Sequence, residues 1–384
     1  MLALQPAKSL RWLAILFTIV AQAAHEGSFF RISARGGPLV SEMVDPIMSP
    51  AVTPSNHVHE VFGGDGWKPD WTFNNAKGGS CNNMGPTSDF SNYWFPALYH
   101  QGGDGSFTRV PAGLIVYYHF GTEDNGPRRM FPPGLRILAG NAMLRHDDSA
   151  TNKATESIQW HCHEHDDEKQ DTKKKVAGFP DGVTSCPKIN GFSTHIWFPF
   201  CWDGSMDFDP KDPLAHVVYG DGKAPNGGNC SGPEGKHTTP LPQIFMEMFF
   251  HIDQVTYKPG SATPWVLAQG DPTGAGFHAD FINGWVDGER SLSGAMKPVG
   301  KGKTKCMVGL SDNPLTDCLD MLPMDKQNGC PAKIKPVKQV EVDRPGKNLP
   351  GCNPIQPASQ QDAKIQTNCD GYTAPTKRST GHVE

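Results

Sequence analysis

Glycine and proline interrupt this sequence so often that little room is left for long helices. The chain of 384 residues contains 42 glycines and 34 prolines, and both residue types mark turns and loops. The apolar segments between them are short and rich in β-branched and aromatic side chains, which is typical of strands. Examples are residues 114–120, 135–139, 158–162, 192–200, 244–255 and 265–268. We therefore predict a mainly β fold, with a β-sandwich or jelly-roll-like domain and long loops.

One segment, residues 243–258, fits either a helix or a strand. Pro242 suits the first position of a helix, and the segment is long enough for about four turns. As a strand, it places Phe245, Glu247 and Phe249 on one face, and the opposite face is apolar. We favour the strand.

The first residues have the pattern of a secretory signal peptide. Lys8 and Arg11 precede the apolar residues 12–20, and Ala21-Gln22-Ala23 follows as a small-x-small cleavage site. No apolar run in the chain reaches the roughly 20 residues that a membrane span needs. We predict that residues 1–23 are removed and that the mature protein has no membrane span. The expected location is secreted, either extracellular or associated with a cell wall.

The composition divides the rest of the chain into two parts. Residues 24–290 carry most of the aromatic side chains and form the predicted β domain, whereas residues 291–384 gain Lys, Pro, Asn and Gln. Five of the ten cysteines lie in residues 81–230 and five in 306–369. If all of them pair, at least one disulfide must join the two groups, although the connectivity stays open. We expect a cysteine-containing, loop-rich tail with a disordered end.

Charge and short motifs exclude several functional classes. The net charge is −5, and the chain lacks the clustered Lys and Arg that binding to a phosphate backbone requires, so nucleic acid is not an expected partner. It also lacks a Gly-x-Ser-x-Gly elbow and a His-Glu-x-x-His motif, which would support a serine hydrolase or a zincin. Asn229-Cys230-Ser231 is an acceptable N-glycosylation site, which predicts a glycoprotein.

Five phrases occur in the sequence in a fixed order: "MVDPIMSP" with "SNHVHEVFGG", "SNYWFPALY", "FPPGLRILAG", "FPFCWDG" and "GDPTGAGFHADFINGW". Together they resemble the fungal secreted proteins of the DUF1996 domain family, whose activity is undefined. The resemblance extends over roughly residues 28–287 and implies a fungal, extracellular or cell-wall setting. The family positions matched in these phrases are His57, His59, Trp94, Asp203, Asp271, His278 and Asp280.

Two short segments carry histidines at strand spacing. His278 and Asp280 are two residues apart in "GFHADFINGW", and His57 and His59 are two apart in "SNHVHE", so each pair shares one face of an extended chain. If the segments lie side by side, three histidines and Asp280 would converge, which is enough to bind a divalent metal. The alternative is that the histidines bind carbonyl groups in loops, that residues 271–274 form an ordinary turn, and that Asp280 accepts buried amides.

A third group of histidines, His161, His163 and His165, alternates in "WHCHEHD". The acidic residues that follow favour a solvated charged segment over a specific metal site.

Carboxylates beside aromatic residues suggest carbohydrate chemistry. Glycoside hydrolysis needs two carboxyl groups, one acting as an acid and the other as a base or nucleophile. We predict that Asp280 and Glu247 are this catalytic pair, with His278 assisting. Aromatic faces can bind sugar rings, although most tryptophans pack in the core. The predicted substrate-binding residues are Trp94, Trp202, Asp203, Asp271 and Trp285.

The sequence leaves three functions open. The first is a secreted protein that acts on or binds cell-wall or plant polysaccharide, as a glycoside hydrolase if it is catalytic. The second is a non-catalytic wall, adhesion or lectin-like protein that binds the same glycan. The third is a metal-dependent hydrolase in which His57 and His59 bind a divalent metal.

Overall fold

The computed structural model describes residues 29–121, 128–162, 173–175, 177–180, 183, 186, 191–222, 225, 227–231, 235–255, 264–300, 303–304, 318–330, 341–357, 363, 368–369 and 372–373. The predicted signal peptide, His163, His165 and the predicted disordered end at 374–384 lie outside the described residues.

Short strands dominate the described chain, so the prediction of a mainly β fold is confirmed. In chain order the strands are β1 (Phe29–Ser33), β2 (Val40–Glu42), β3 (His59–Gly63), β4 (Asn92–Pro96), β5 (Leu98–Gln101), β6 (Phe107–Arg109), β7 (Ala112–His119), β8 (Arg136–Gly140), β9 (Ile158–Cys162), β10 (Lys173–Lys175), β11 (Phe192–Trp197), β12 (Cys201–Trp202), β13 (Val217–Val218), β14 (Thr239–Pro240), β15 (Gln243–Phe250), β16 (Trp265–Leu267), β17 (His278–Ile282), β18 (Pro298–Gly300), β19 (Lys303–Thr304), β20 (Asn368–Cys369) and β21 (Tyr372–Thr373). The helices are α1 (Phe73–Lys77), α2 (Lys153–Glu156), α3 (Leu292–Ala295) and α4 (Met324–Asn328), and a 3-10 turn spans Ile252–Gln254.

Two antiparallel sheets pack face to face and form a β-sandwich. The six-stranded sheet has the order β1-β7-β15-β11-β9-β10, and the five-stranded sheet has the order β2-β3-β4-β17-β8. Met246 and Phe250 of β15 belong to the same buried cluster as Ala279 and Phe281 of β17. Because side chains alternate along a strand, this cluster fixes which face of each sheet is turned inward. Smaller sheets, β16-β5-β6 and β13-β12-β14, and two hairpins, β18-β19 and β20-β21, complete the topology.

The ambiguous segment at 243–258 is a strand over Gln243–Phe250, and residues 256–258 lie outside the described part. It pairs with β7 along its whole length and with β11 on its other side. A central strand needs one face for the core, and the apolar residues Ile244, Met246, Met248 and Phe250 supply it. Phe245, Glu247 and Phe249 therefore face away from the core, as predicted.

The outer face of the five-stranded sheet is itself covered. Since Ala279 and Phe281 face the sandwich core, His278 and Asp280 point to the opposite side of β17. A second apolar cluster packs over this side and contains Val44, Ile47, Val61, Trp67, Trp71, Ala76, Trp94 and Ile282. Polar side chains on this outer face are consequently enclosed by protein.

Disulfides tie the tail to the β domain. The pairs for which both cysteines are described include Cys81–Cys330, Cys162–Cys186 and Cys201–Cys230, and Cys318 and Cys352 are also disulfide-bonded. The first pair joins the two cysteine groups across 249 residues, which agrees with the constraint drawn from the sequence. The Phe107 amide also donates to the Gly346 carbonyl at 2.7 Å, so residues 341–357 lie against the domain. None of the helices in the described residues has the length and apolarity that crossing a membrane requires.

Candidate functional site

Three histidines meet on the outer face of the five-stranded sheet. His59 begins β3 and His278 begins β17, and β4 lies between these two strands. His57 lies two residues before β3, at the end of the loop that covers this face. The fold therefore brings together two segments that are more than 200 residues apart in sequence, as the metal hypothesis requires.

The three imidazole rings are close enough to share one ligand. The ring centres of His57 and His59 are 4.3 Å apart, and those of His57 and His278 are 5.1 Å apart. The Nε2 atoms of His57 and His278 are separated by 3.1 Å. One nitrogen from each ring can be chosen so that all three lie within 4.8 Å of one another. A single ion could contact all three nitrogens after small side-chain adjustments.

Backbone contacts set the tautomer of His278. Its Nδ1 lies 3.0 Å from the Gly276 carbonyl oxygen, and because a carbonyl only accepts, Nδ1 must carry the hydrogen. In the neutral ring, Nε2 then holds a lone pair, which points toward His57. A histidine that ligates a metal usually donates its other N–H to such an acceptor. His278 is therefore already arranged as a ligand.

The environment keeps the three rings neutral. Burial, helped by the nearby Arg145 cation and opposed by the hydrogen bond to Gly276, lowers the pKa of His278 to about 4. Burial also places the pKa of His57 and of His59 well below the usual value, and repulsion between neighbouring rings adds to this shift. Neutral imidazole is the form that binds metals.

His59 is the most deeply buried of the three rings, and the Val44 backbone lies within weak hydrogen-bonding reach of it. It is 1% exposed, and within the described residues neither of its nitrogens makes a hydrogen bond of normal geometry. Buried polar atoms without partners carry a free-energy penalty, and in native proteins they point to a function or to a bound ion. Three imidazole nitrogens suit zinc, copper, nickel or iron better than calcium or magnesium. The donor set therefore fits a transition metal.

The histidines stand at the wall of a cavity of about 460 Å³. His57 and His278 line it together with Asp45 and Arg145, whereas His59 lies behind them and does not line it. An ion held by the three rings would thus have an open side facing the cavity. This combination of three protein ligands and an open position is the usual arrangement of a catalytic zinc.

Asp45 is a cavity residue that the sequence analysis missed. Its Oδ1 accepts the amides of Ile47 and Met48, both at 3.0 Å, so the carboxyl group has a fixed orientation. Burial raises the pKa of Asp45 to about 6, which the two amides partly oppose. A carboxyl group with such a pKa can exchange a proton near neutral pH. Asp45 was contained in the phrase "MVDPIMSP", but it has no spacing pattern that marks it as functional.

Arg145 was also missed, and it is a buried cation beside the same cavity. It is 2% exposed, and its guanidinium donates to the carbonyls of Ala142, Leu144 and Gln269. Its Nε lies 3.8 Å from Asp271 Oδ1. Nothing in its sequence neighbourhood distinguishes it from a surface arginine.

Asp280 is enclosed and does not line the cavity. It is fully buried, and neither carboxyl oxygen has a hydrogen-bond partner among the described residues. Burial, together with the neighbouring Asp45 carboxyl, raises its pKa well above the usual value. The alternative reading that Asp280 accepts buried amides is therefore wrong. Its carboxyl group is not one of the close set of ligand atoms, and a substrate in the cavity does not reach it.

Glu247 belongs to the opposite side of the molecule. Its Oε1 lies 3.2 Å from His195 Nε2, and its Oε2 accepts the Tyr117 hydroxyl at 3.0 Å. It projects from the outer face of the six-stranded sheet, whereas Asp280 projects from the outer face of the five-stranded sheet. Both sheets and the core between them separate the two carboxyl groups. The predicted acid/base pair of Asp280 and Glu247 is therefore wrong.

The three predicted substrate-binding tryptophans are core residues. Trp94 packs against Trp67 with ring centres 4.8 Å apart. The indole N–H of Trp285 donates to the Tyr118 hydroxyl, and that of Trp202 donates to the Ser205 carbonyl. All three are at most 4% exposed, so their faces are not available to sugar rings.

The two predicted substrate-binding aspartates organise loops instead. Asp271 accepts the Thr273 amide and hydroxyl and the Gly276 amide at 2.6–2.8 Å, which fixes the turn that leads to His278. Asp203 is exposed and accepts the Ser205 amide at 2.7 Å. Neither aspartate lines the cavity, and residues 272–274 form a bend.

Comparison with known proteins identifies a family and no close relative of known activity. A family model described as "Domain of unknown function (DUF1996)" matches residues 45–285, which is more than half of the 384 residues. No curated protein and no solved structure matches the chain. The matched residues include the three histidines, Asp45 and Arg145.

Proposed function

We propose that this chain, which belongs to the DUF1996 family, is a secreted metal-dependent hydrolase that acts on polysaccharide at the fungal cell surface. The family description assigns no activity, so the function is inferred from the site. The proposal combines a metal site argued from geometry with a location and a substrate expected from the sequence.

The observation that carries the proposal is the convergence of His57, His59 and His278. Three buried neutral imidazoles with ligand atoms within 4.8 Å of one another are costly to enclose unless they share a partner. The lone pair of His278, which accepts a hydrogen bond from His57 Nε2 at 3.1 Å, and the nitrogens of His59 are the features that an ion would use in place of that hydrogen bond. The adjacent cavity supplies the access that a substrate needs.

Each residue of the site has a distinct role in this proposal. His57, His59 and His278 hold the metal, and the Gly276 carbonyl keeps His278 in the ligating tautomer. A bound metal polarises a substrate oxygen and makes water acidic enough to act as a nucleophile near pH 7. Asp45 lines the same cavity and is the proton acceptor or donor of the reaction. No contribution is needed from Glu247.

A metal-independent glycoside hydrolase is a weaker candidate. That reaction needs two carboxyl groups on either side of one glycosidic bond, separated by roughly 5–10 Å. Asp280 is sealed from the cavity and Glu247 is on the opposite sheet, so the predicted pair does not meet this requirement.

Secretion is supported by features in two parts of the molecule. The signal-like residues 1–23 predict export. Disulfides such as Cys201–Cys230 persist in oxidising compartments. The fungal cell-wall location expected from the sequence makes an extracellular polysaccharide the substrate class that we propose.

The first test is the metal content of the purified full-length secreted protein. We expect about one zinc, copper, nickel or iron ion per chain by elemental analysis, and at least a tenfold lower content in His57→Ala. His195→Ala is the matched control, because it removes a half-buried histidine from the other sheet and should leave the metal content unchanged.

Activity is the second test. The protein is incubated with fungal and plant glucans, and released oligosaccharides are measured with and without a chelator. We expect chelator-sensitive release that His57→Ala abolishes. A wild-type protein without stoichiometric metal would refute the proposal, and stoichiometric metal with glycan binding but no product would favour the lectin-like alternative.

A further inference from the structure

The cavity beside the three histidines has a mainly apolar surface. Met48, Leu138, Met143 and Leu214 are among the side chains that line it. Transfer of an apolar group from water to such a surface is favourable, because apolar area on both sides is removed from water. The cavity therefore favours a substrate that brings an apolar group to the metal site.

Strand β8 places part of this apolar surface next to the metal site. Gly140 is directly opposite His278 in the register. Because residues two apart share one face of a strand, Leu138 lies on the same face as Gly140, and both residues line the cavity. Met143, in the loop that follows β8, also lines it. An apolar group at the open side of the ion would contact this wall.

The metal site is positively charged when an ion is bound. The three imidazoles are neutral, so a divalent ion keeps its full charge, and the buried Arg145 adds another positive group beside the cavity. Asp45 is the buried carboxyl group of the lining, and the site stays positive even when Asp45 is ionised. Lys211 and Asp212 are exposed, so they lie where the cavity opens to solvent. Such a site stabilises negative charge that develops on a substrate oxygen.

The tail limits the size of the group that the cavity can take. Asn353 Nδ2 donates to the Asn56 carbonyl at 2.8 Å, and the Gln356 amide donates to the Gly270 carbonyl at 2.9 Å. These bonds hold the tail against the cavity, which has a volume of about 460 Å³. This volume is in the range for small ligands, so it suits a short apolar group together with part of a sugar.

The ester of a short acyl group meets these conditions. Its acyl chain is apolar and uncharged. When water attacks the carbonyl carbon, negative charge develops on the carbonyl oxygen, which the positive site would stabilise. Polarising a carbonyl group and making water acidic are the two contributions that a bound metal ion can supply to this reaction.

We propose that the site has a second activity, the hydrolysis of carboxylic esters of short acyl groups, such as acetyl groups on the hydroxyls of a wall polysaccharide. The oxygen of water bonds to the carbonyl carbon, and the bond between that carbon and the sugar oxygen breaks. The products are the carboxylic acid and the free sugar hydroxyl, which takes up one proton of the water. No oxidant or further reactant is needed. The inference rests on the metal site of the proposed function and adds a second kind of bond to it.

The test measures the acid that the full-length, metal-containing protein releases from acylated oligosaccharides at neutral pH. The probes are O-acetyl-cellotetraose and O-butyryl-cellotetraose. Unsubstituted glucan is assayed in parallel for cleavage of the polysaccharide chain. We expect release of acetate and butyrate that a chelator suppresses and that His57→Ala abolishes.

Met143→Asn tests the apolar wall without changing a proposed metal ligand. Met143 is half-buried in a turn, and the variant should keep its metal. Its kcat/KM should fall about tenfold for the acetyl ester, and further for the butyryl ester, because the longer acyl chain covers more of the wall. Met206→Asn is the matched control. Met206 is 43% exposed and does not line the cavity, so both rates should stay unchanged.

Three results would overturn the inference. They are no acid release by the metal-containing protein, acid release that persists with chelator or in His57→Ala, and an unchanged rate in a folded, metal-containing Met143→Asn. Failure of the proposed function gives a different pattern. Oligosaccharides released from glucan without acid from the esters would refute only this inference, whereas acid without oligosaccharides would refute only cleavage of the polysaccharide chain. A wild-type protein without metal would refute both.

Discussion

Single hydrogen bonds decide what the buried histidines can do. His278 is a ready ligand because the Gly276 carbonyl holds the proton on Nδ1. The same carbonyl fixes Gln269, and the loop that carries it is shaped by Asp271, whose Oδ2 accepts the Gly276 amide at 2.7 Å. Asp271 is thus a positioning residue rather than a substrate contact. Asp271 affects the site through its hydrogen bond with the Gly276 amide.

Asp89 gives a prediction of pH dependence that is independent of the proposed site. It is fully buried, and burial raises its pKa from 3.8 to about 6. Below pH 3.8 the Asp89 carboxyl group is protonated in both the folded and the unfolded state, so it does not lower the free energy of unfolding. As the pH rises toward 6 and above, the unfolded state ionises first, so the fold loses up to about 3 kcal/mol.

The substitution Asp89→Asn should remove this loss. Relative to wild type, the variant should gain up to about 3 kcal/mol of unfolding free energy between pH 4 and pH 7, measured by denaturant unfolding at both values. Asp70→Asn, at an exposed position, should show no such gain. If Asp89→Asn changed the free energy of unfolding by the same amount at both pH values, the raised pKa of Asp89 would be contradicted.

At the scale of elements, the close pairing of β8 with β17 determines where His278 lies. Gly140 is directly opposite His278 in the register and has a φ of +83°, which side chains other than glycine rarely adopt. A Cβ at this position would lie 2.4 Å from the Phe277 carbonyl oxygen and 2.8 Å from His278 Cα. Any side chain here must displace the backbone of the histidine.

Gly140→Ala should therefore affect stability and the metal site together. We expect a loss of roughly 1–3 kcal/mol of unfolding free energy from backbone strain, measured by denaturant unfolding, and a lower metal content by elemental analysis. The control is Gly113→Ala on β7, where an added Cβ meets no atom within 4 Å. Full metal content in a destabilised Gly140→Ala would show that His278 does not depend on this pairing.

The sequence predicted the secondary-structure elements better than it predicted the functional site. Gly and Pro punctuation and side-chain alternation are local signals, and they identified segments such as β9 and β15. The spacing of His57 and His59 and the position of His278 were also local signals, so the three candidate ligands were recognisable. The prediction that Asp280 and Glu247 form a catalytic pair failed because local sequence patterns do not reveal which sheet each strand joins. Asp45 and Arg145 acquire their importance only from the cavity that the loops form around them.

At the scale of the whole molecule, the disulfide between Cys81 and Cys330 joins distant parts of the chain. Cys81–Cys330 spans 249 residues, whereas Cys201–Cys230 spans 29. In the chain-entropy model the longer loop stabilises the fold by roughly 2 kcal/mol more than the shorter one.

Removal of each disulfide by a double Cys→Ala substitution tests this difference. Replacing Cys81 and Cys330 should lower the unfolding free energy by about 2–5 kcal/mol, and replacing Cys201 and Cys230 should lower it by less. Denaturant unfolding under non-reducing conditions gives both values. An equal or smaller loss for the Cys81–Cys330 variant would mean that native packing already holds residues 318–330 in place.

The family match ends at residue 285, yet Asn353 and Gln356 line the cavity. The cavity is thus lined both by residues inside the matched region and by residues beyond its end. Two homologues with identical residues 45–285 could hold the same metal and still admit different molecules, because each would close the cavity with its own tail. Inferring the substrate of one relative from that of another would then require a comparison of their C-terminal extensions as well as of the shared domain.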